Sequence, residues 1–298
     1  MNRKKSVIII GANGQLGYDL KQVFADWKVV SLNGPPEKDI DIRDEESIKK
    51  AFQKTKADFV INTAAFTDVP KCEEVKEFAY QVNSLGAKNV ARACREKGFA
   101  LIHISSDYVF DGKKHSPYTE DDGPHPLNHY GFTKLEAERL IRKETDSYYI
   151  LRTSGLYGKA GCLVKGENFV DKMLRYAEEK QDIRVVDDEI LTPTSSLQLA
   201  KQIRRICEER PDPGIYHATN QGQCSWYEFA KEIFHLTGKK VVLTAVHQKD
   251  FPSQVLRPLY SVLENRNLNI RDLDVMDDWH DALKEYLEQK GLLRKHLL

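Results

Sequence analysis

The stretch SVIIIGANGQLGYDL, residues 6–20, decides the fold of this chain. An apolar run ends directly in a glycine turn, and apolar residues at helical spacing follow. Because Gly11, Gly14 and Gly17 have no side chains, the turn can be tight, the backbone can approach a pyrophosphate, and the helix can pack on the sheet. The helix N-terminus adds N–H groups and a positive dipole for phosphates. The stretch predicts a nucleotide-binding strand, turn and helix, with a plain structural turn as the alternative.

Strand and helix patterns alternate through the first half of the chain. Predicted strands cover residues 6–10, 29–32, 57–65, 99–106 and 148–158. Predicted helices between them cover residues 17–27, 46–54, 79–98 and 128–140. This alternation is typical of an α/β fold with a Rossmann-like, doubly wound parallel sheet, in which ligands bind at the carboxyl ends of the strands.

The second half is predicted to form a smaller α/β region. Residues 167–179 form an amphipathic helix with Phe169, Met173 and Ala177 on the face predicted to be buried. We assign residues 1–155 to an NAD(P)-binding Rossmann domain, and 156–298 to a substrate-binding region interleaved with it.

The composition excludes several classes of protein. The 298 residues are 41% apolar and 30% charged, which is typical of a globular protein with room for one α/β domain and a smaller annex. Lys and Arg balance Asp and Glu at 45 each, so no excess charge indicates a nucleic acid or membrane partner. No segment approaches the roughly 20 apolar residues that span a bilayer. Five scattered cysteines are typical of reduced thiols, and we expect a cytoplasmic protein.

The segment NHYGFTKLEAERL, residues 128–140, places Tyr130 four residues before Lys134. On a helix this spacing puts the two side chains one turn apart on the same face. A phenol beside an ammonium group is either an ordinary surface pair or an acid whose pKa has been lowered. The segment alone favours the surface pair, because the spacing is common by chance.

Hydroxyl groups at the end of the predicted strand 99–106 change that balance. Ser105, Ser106 and Asp107 stand there, although serines at a strand end are usually turn formers. Reduction of a ketone by a nicotinamide needs a hydride on carbon and a proton on oxygen. The pKa of the donor must fall from about 10 towards neutrality, which an adjacent cation achieves by stabilising the phenolate. We therefore predict that Ser106 polarises the carbonyl, Tyr130 donates the proton and Lys134 tunes its pKa.

Cofactor preference depends on the residue after the second predicted strand. An acidic residue there usually bonds the ribose hydroxyls and repels a 2′-phosphate, but Asn33 stands in its place. Because this repulsive carboxylate is missing, we predict a preference for NADPH. We expect NADH to be tolerated, because no arginine adjoins Asn33 and only Lys38 and Arg43 lie nearby. Asp41 is a candidate to bond the adenine edge, with a plain turn aspartate as an equal alternative.

These motifs make the chain resemble the extended short-chain dehydrogenase/reductase superfamily, in its sugar-nucleotide branch, and within it the dTDP-4-dehydrorhamnose reductases. The resemblance covers essentially the whole chain and rests on GANGQLG (11–17), NTAAFTDV (62–69), SSDYVFDG (105–112), YGFTK (130–134), TPT (192–194), GIYH (214–217), SWYEFA (225–230) and RPLYSVL (257–263). Dehydratases of this branch carry Asp-Glu after the catalytic hydroxyl. Here Tyr108 follows Asp107, so the base for water elimination is missing.

The resemblance implies an NAD(P)H-dependent reductase that converts dTDP-4-dehydro-L-rhamnose to dTDP-L-rhamnose. Ser106 and Asp107 would contact the sugar, and Tyr130 and Lys134 would perform the chemistry beside the cofactor. With the turn and Asn33, the cofactor-binding set is Gly11, Gly14, Gln15, Leu16, Gly17, Asn33, Asp41, Ile42, Ala64, Ala65, Thr67, Asn83, Tyr130 and Lys134.

The chain departs from the family's pattern at Asn33, Ser106 and Gly155, and Arg257 and Asp19 leave further alternatives open. Gly155 stands where the family has a tryptophan that contacts the substrate, and Ser106 stands where threonine is frequent. Arg257 is a candidate to hold the substrate diphosphate, with a structural salt bridge as the alternative.

Some relatives bind magnesium at a dimer interface. Asp19 is the only carboxylate that aligns with such a site, so no metal site is predicted, and Mg²⁺ and a homodimer stay open.

Two other functions stay open. The chain could be a non-catalytic NADP-binding regulatory subunit, of which the regulatory subunit of methionine adenosyltransferase is an example in this lineage. It could also reduce another nucleotide-linked 4-keto sugar. Retention of Ser106, Tyr130 and Lys134 favours an enzyme.

Overall fold

The computed structural model describes residues 4–35, 37–53, 55–161, 166–179, 182–251 and 255–294. The strands are β1 (Ser6–Ile10), β2 (Lys28–Leu32), β3 (Phe59–Asn62), β4 (Ala100–Ser106), β5 (Tyr148–Thr153), β6 (Leu156–Tyr157), β7 (Asp182–Val186), β8 (Ile190–Leu191), β9 (Thr194–Ser195), β10 (Gly214–His217), β11 (Cys224–Ser225) and β12 (Val242–Val246). The α-helices are α1 (Gln15–Val23), α2 (Glu45–Phe52), α3 (Val69–Glu74), α4 (Lys76–Tyr80), α5 (Gly86–Lys97), α6 (His129–Glu144), α7 (Phe169–Glu179), α8 (Ser196–Glu209), α9 (Trp226–Thr237), α10 (Arg266–Asn269) and α11 (Trp279–Gln289).

Six of the strands form one parallel sheet in the order β2-β1-β3-β4-β5-β10. All five residues of β1 are buried, as a central strand covered on both faces requires, and this explains its apolar sequence. The strand order reverses between β1 and β3, and ligands bind in the crevice at the carboxyl ends of such strands. The predicted α/β fold with a doubly wound parallel sheet is confirmed.

Helices cover both faces of this sheet. On one face α1 and α8 pack together, and Leu20 and Ile203 belong to the same buried core. On the other face α2, α5 and α6 contribute Phe52, Val90 and Ile141 to a second core. The sheet is therefore a rigid layer, and the loops at its carboxyl edge are positioned by two packed cores.

The predicted helix 79–98 is interrupted. A π-helical turn, Gln81–Leu85, joins α4 to α5 and contains the buried Asn83. Such turns insert an extra residue and change the direction of the side chains within them. Helical periodicity alone could not predict this local widening.

The second half continues the sheet of the first. β10 pairs with β5, so the sheet crosses residue 155, where we propose the division of the chain. A third core joins α7, α9 and α11 and contains Tyr157, Phe229 and Trp279. Within the described ranges, no helix has the length and apolar character needed to cross a membrane.

The described cysteines are buried free thiols, namely Cys72, Cys94, Cys207 and Cys224. Cys162 lies outside the described residues.

Candidate active site

A cavity of about 640 Å³ lies at the carboxyl edge of the sheet. Ile10, Ser106 and Thr153, the last residues of β1, β4 and β5, all line it. The predicted site residues in its wall are Gly11, Gly14, Gln15, Leu16, Asp41, Ile42, Ala64, Ala65, Thr67, Ser106, Asp107, Tyr130, Lys134 and Gly155. Parallel strands bring these distant residues together because their carboxyl ends meet at one edge. The predicted residues outside the wall are Gly17, Asn33, Asn83 and Arg257.

The glycine turn fits the pyrophosphate of a dinucleotide. Gly11 has a φ of +81°, and a Cβ atom there would lie 2.6 Å from Oγ1 of Thr63. A Cβ atom on Gly17 would lie 2.3 Å from the carbonyl oxygen of Gly11, so Gly17 lets α1 pack on the turn and does not itself line the cavity. No described side chain caps α1 at Gly14, which leaves the first N–H groups of the helix available to an anion.

Asp41 holds an arginine in the cavity wall. Its carboxylate accepts hydrogen bonds from Nε of Arg43 at 3.0 Å and from a terminal guanidinium nitrogen at 2.6 Å. These bonds lower the pKa of Asp41. The guanidinium also lies over the ring of Phe78, 5.3 Å from its centroid. The sequence placed Arg43 only in the neighbourhood of the cofactor, whereas the structure shows a cation fixed in the wall.

Asn33 is held by protein groups outside the cavity wall. Its Oδ1 accepts a hydrogen bond from the backbone N of Asn13 at 2.8 Å. Its backbone N and Nδ2 donate to Oδ2 of Asp39 at 3.1 and 3.4 Å. The sequence has no carboxylate directly after β2, but a turn closed by a hydrogen bond of 3.1 Å from Ile40 N to Asn33 O brings Asp39 within hydrogen-bond distance of Asn33. Asp39 is therefore a carboxylate beside Asn33 that the sequence did not indicate, and the contact of Asn33 with the cofactor stays a prediction.

The side chain of Asn83 links two segments of the chain by hydrogen bonds that the sequence did not predict. Its Oδ1 accepts from the backbone N of Phe66 at 2.7 Å, and its Nδ2 donates to Oγ1 of Thr133 at 3.0 Å. It therefore fixes the segment after β3 to α6. The residue lies outside the cavity wall, and its contact with the cofactor stays a prediction.

As predicted, Tyr130 and Lys134 lie one turn apart in α6. The buried Lys134 donates through Nζ to the carbonyl oxygen of Ile104 at 2.6 Å. Burial lowers the pKa of Lys134 to about 8, and the carboxylate of Glu138 opposes that shift. The ammonium group is therefore still mostly charged at neutral pH, on the helix that carries Tyr130.

Three serine hydroxyls converge on the buried carboxylate of Asp107. Oγ of Ser106 donates to Oδ1 at 2.9 Å, and those of Ser154 and Ser261 donate to Oδ2 at 2.9 and 2.7 Å. Burial raises the pKa of Asp107, and the three bonds oppose the increase. Ser154 and Ser261 also line the cavity, and no sequence pattern predicted either of them. Ser106 must turn from Asp107 before it can donate to a substrate oxygen.

Gly155 occupies a position that strongly favours glycine. Its φ is +54°, and a Cβ atom there would lie 2.8 Å from Cδ1 of Leu191 and 3.2 Å from Cα of Pro193. In this chain the backbone conformation and the neighbouring atoms therefore both oppose a side chain at position 155.

The second half contributes an aromatic part of the wall. Phe169 and Trp226 line the cavity at the start of α7 and α9. Three residues of α7 were predicted to be buried, namely Phe169, Met173 and Ala177, but only Met173 is buried and the other two are partly buried. Helical periodicity identified the apolar stripe of α7 and could not show that its first member is exposed to a cavity.

Arg257 lies outside the cavity wall, but its charge acts on Tyr108, which is part of that wall. No ion pair joins it to any carboxylate in the described ranges, so the predicted alternative of a structural salt bridge gains no support. Its Nε is buried and has no hydrogen-bond partner among the described groups. Burial raises the pKa of Tyr108, a residue of the cavity wall, and the charge of Arg257 opposes that increase.

The described part of the chain contains no group of three or more His, Cys, Asp or Glu residues that could hold a metal ion. Asp19 is buried and accepts a hydrogen bond from Oγ of Ser196. Burial raises its pKa.

The parallel sheet, the glycine turn and the Tyr130–Lys134 helix in one cavity wall define a Rossmann-type enzyme of the extended short-chain dehydrogenase/reductase class. Residues 5–291 match the family described as the RmlD substrate binding domain. The chain belongs to this family.

Its relatives agree with that class. The chain is 39% identical over 287 residues to the spore coat polysaccharide biosynthesis protein SpsK of Bacillus subtilis, covering 96% of this chain and 98% of that protein. It is 35% identical over 292 residues to the dTDP-4-dehydrorhamnose reductase of Aggregatibacter actinomycetemcomitans, covering 93% and 97%. The crystal structure of dTDP-4-dehydrorhamnose reductase from Bacillus anthracis, in complex with NADP, has a TM-score of 0.91 at 35% identity and covers 96% and 100%. The chain is an NAD(P)-dependent oxidoreductase.

Proposed function

We propose that the chain is an NADPH-dependent reductase of a dTDP-linked 4-keto sugar, converting dTDP-4-dehydro-L-rhamnose to dTDP-L-rhamnose. The observation that carries the proposal is the position of Tyr130 and Lys134 in the wall of the cavity that also contains the glycine turn. The names of the relatives support the substrate, and the NADP complex of the Bacillus anthracis protein supports the cofactor.

The cofactor would lie along the first-half wall of the cavity, and bound NADPH would supply the hydride. The turn with Gly14 and the N-terminus of α1 would hold its pyrophosphate. Asp41 and Ile42, with the guanidinium of Arg43 beside them, would hold its adenosine end. Ala64, Ala65 and Thr67 would follow between these two groups and the catalytic residues.

The protein supplies the proton. The hydroxyl of Tyr130 donates it to the keto oxygen as negative charge develops there. The ammonium group of Lys134 would stabilise the phenolate that remains. Because Lys134 is withdrawn from water, its charge acts more strongly than it would at the surface. Ser106, once turned from Asp107, donates to the same oxygen and stabilises it.

A reductase of another dTDP-linked 4-keto sugar is the second candidate. Gly155 favours it, because the surface that the family tryptophan would offer to the sugar is absent. No comparable observation favours the regulatory subunit, since Ser106, Tyr130 and Lys134 all lie in the cavity wall.

The test is oxidation of NADPH by the purified protein with a panel of nucleotide-linked 4-keto sugars, followed by identification of the products. We expect turnover with dTDP-4-dehydro-L-rhamnose, and almost none in the Tyr130→Phe variant. Faster turnover with a different dTDP sugar would select the second candidate. A protein that binds NADPH but reduces no member of the panel would contradict both.

A further inference from the structure

We propose that Trp226 and Phe169 form the surface on which the nucleobase of the substrate stacks. The inference rests on the proposed function, because it assigns one part of the nucleotide sugar to one part of the same cavity. It assigns a role to the two aromatic residues, which the mechanism above does not use.

The two rings are adjacent and only partly buried. Their centroids lie 4.5 Å apart with an angle of 37° between the planes, and both line the cavity. Other aromatic residues of the third core differ, because Tyr157, Phe229 and Trp279 are buried and the partly buried Tyr227 does not line the cavity. The pair is thus the part of an aromatic cluster that is exposed to a ligand.

The pair is also held rigidly. Phe169 stacks on Phe229 with centroids 5.7 Å apart, and Trp226 lies 6.3 Å from the same ring. Trp226 is the first residue of α9, whose start is fixed by a capping box between Ser225 and Glu228. A ligand that stacks here need not order the surface first, and this reduces the entropic cost of binding.

The chemistry of this wall matches a base better than it matches a diphosphate or the cofactor. Ile190 and Leu191 of β8 line the same cavity, and β8 pairs with β11, which directly precedes Trp226, so this part of the lining combines two aromatic rings with two aliphatic side chains. A nucleobase presents a π-face that stacks on such rings, whereas a diphosphate requires cations or N–H donors. The adenine of the cofactor has a separate place beside Asp41 and Arg43, which come from the first half of the chain.

Tryptophan fluorescence offers a direct measurement with dTDP, which contains the base and no sugar. Trp27 and Trp279 are only 6% and 4% exposed, so quenching by dTDP is expected to come chiefly from Trp226. We expect Trp226→Leu to raise the Kd for dTDP, measured by calorimetry, and the KM for the dTDP sugar by about tenfold or more. The kcat and the Kd for NADPH should stay within about twofold. Trp226→Phe keeps an aromatic ring and should therefore retain most of the affinity for dTDP. Phe169→Leu, which removes the other ring, should also weaken dTDP binding.

Tyr227 provides the matched control. It is the next aromatic residue along α9 and does not line the cavity, so Tyr227→Leu should leave the affinity for dTDP unchanged. An unchanged Kd and KM in folded Trp226→Leu would overturn the inference, and so would an equal loss in Tyr227→Leu. A wild type that binds dTDP through Trp226 but reduces no 4-keto sugar would contradict the proposed function and leave the base site standing.

Discussion

Lys134 is anchored to Ile104 by a hydrogen bond of 2.6 Å from its ammonium group to the backbone carbonyl oxygen. The bond joins α6 to β4 two residues before that strand ends at Ser106. The helix that carries Tyr130 and the strand end that carries the hydroxyl are therefore fixed to each other. A shift of α6 would therefore also move the end of β4, and the proposed proton transfer depends on the positions of both Tyr130 and Ser106.

Replacing Tyr130 by phenylalanine should lower kcat by at least about a hundredfold, the usual scale for loss of a general acid. The Kd for NADPH should change little, because the ring remains and only the hydroxyl is removed. Single-turnover kinetics with the confirmed 4-keto substrate, together with NADPH titration, measures both. Turnover close to that of the wild type would exclude Tyr130 as the proton donor.

The rate should fall as the pH rises through about 8. Burial lowers the pKa of Lys134 to about 8, so the charged form that stabilises the Tyr130 phenolate is present below that pH and lost above it. A profile of kcat/KM against pH reports this titration in the free enzyme. Lys134→Arg, which stays charged, should move the falling limb to higher pH if it folds and turns over. A wild-type profile that is level from about pH 7 to about pH 9.5 would contradict the assignment.

Arg257→Ala should weaken binding of the dTDP sugar by about 1.5–3 kcal/mol, as expected for loss of a charge-assisted hydrogen bond. The unpaired, buried Nε of Arg257 and its effect on Tyr108, which lines the cavity, motivate this expectation. Calorimetry measures the affinity, and Arg139→Ala is the control because Arg139 pairs with Glu136 on the helix surface. Equal affinities in folded Arg257→Ala and wild type would return Arg257 to a structural role.

The carboxylate beside Asn33 should limit the preference for NADPH. We expect the wild type to favour NADPH by only about tenfold, because Asp39 lies within hydrogen-bond distance of Asn33 while Arg43 is already paired with Asp41. Asn33→Asp should move the ratio of kcat/KM values towards NADH, since it adds a second negative charge near a 2′-phosphate. Asp39→Asn should move it the other way. The prediction would be wrong if the wild type prefers NADH. It would also be wrong if neither variant changes the ratio of kcat/KM for the two cofactors.

Gly155→Ala should destabilise the fold more than Gly98→Ala does. Both positions have positive φ, at +54° and +69°, so alanine is strained in each, by about 1 kcal/mol or more. A Cβ atom on Gly98 meets nothing within 4 Å, whereas one on Gly155 would lie 2.8 Å from Cδ1 of Leu191. Urea unfolding of the two variants isolates the steric contribution. A loss at Gly155 no larger than that at Gly98 would show that the contact relaxes without cost.

The sequence by itself determined the alternation of strands and helices in the first half, the glycine turn, and the Tyr130–Lys134 spacing. These features depend on periodicity within one element, or on the rule that parallel strands present their carboxyl ends at one edge. For that reason the pattern of residues along the chain was enough to identify first-half residues of the cavity wall such as Asp41 and Ser106.

The tertiary structure alone decided the surroundings of those residues. Asp39 reaches Asn33 through a turn, and Ser261 donates to Asp107 from 154 positions away along the chain. Phe169 and Trp226 meet only because α7 and α9 share one core. Hydrogen bonds and desolvation depend on distances in space, and spacing along the chain does not record them. The lowered pKa of a buried ammonium group and an aromatic face exposed to a cavity are therefore properties that only the folded chain acquires.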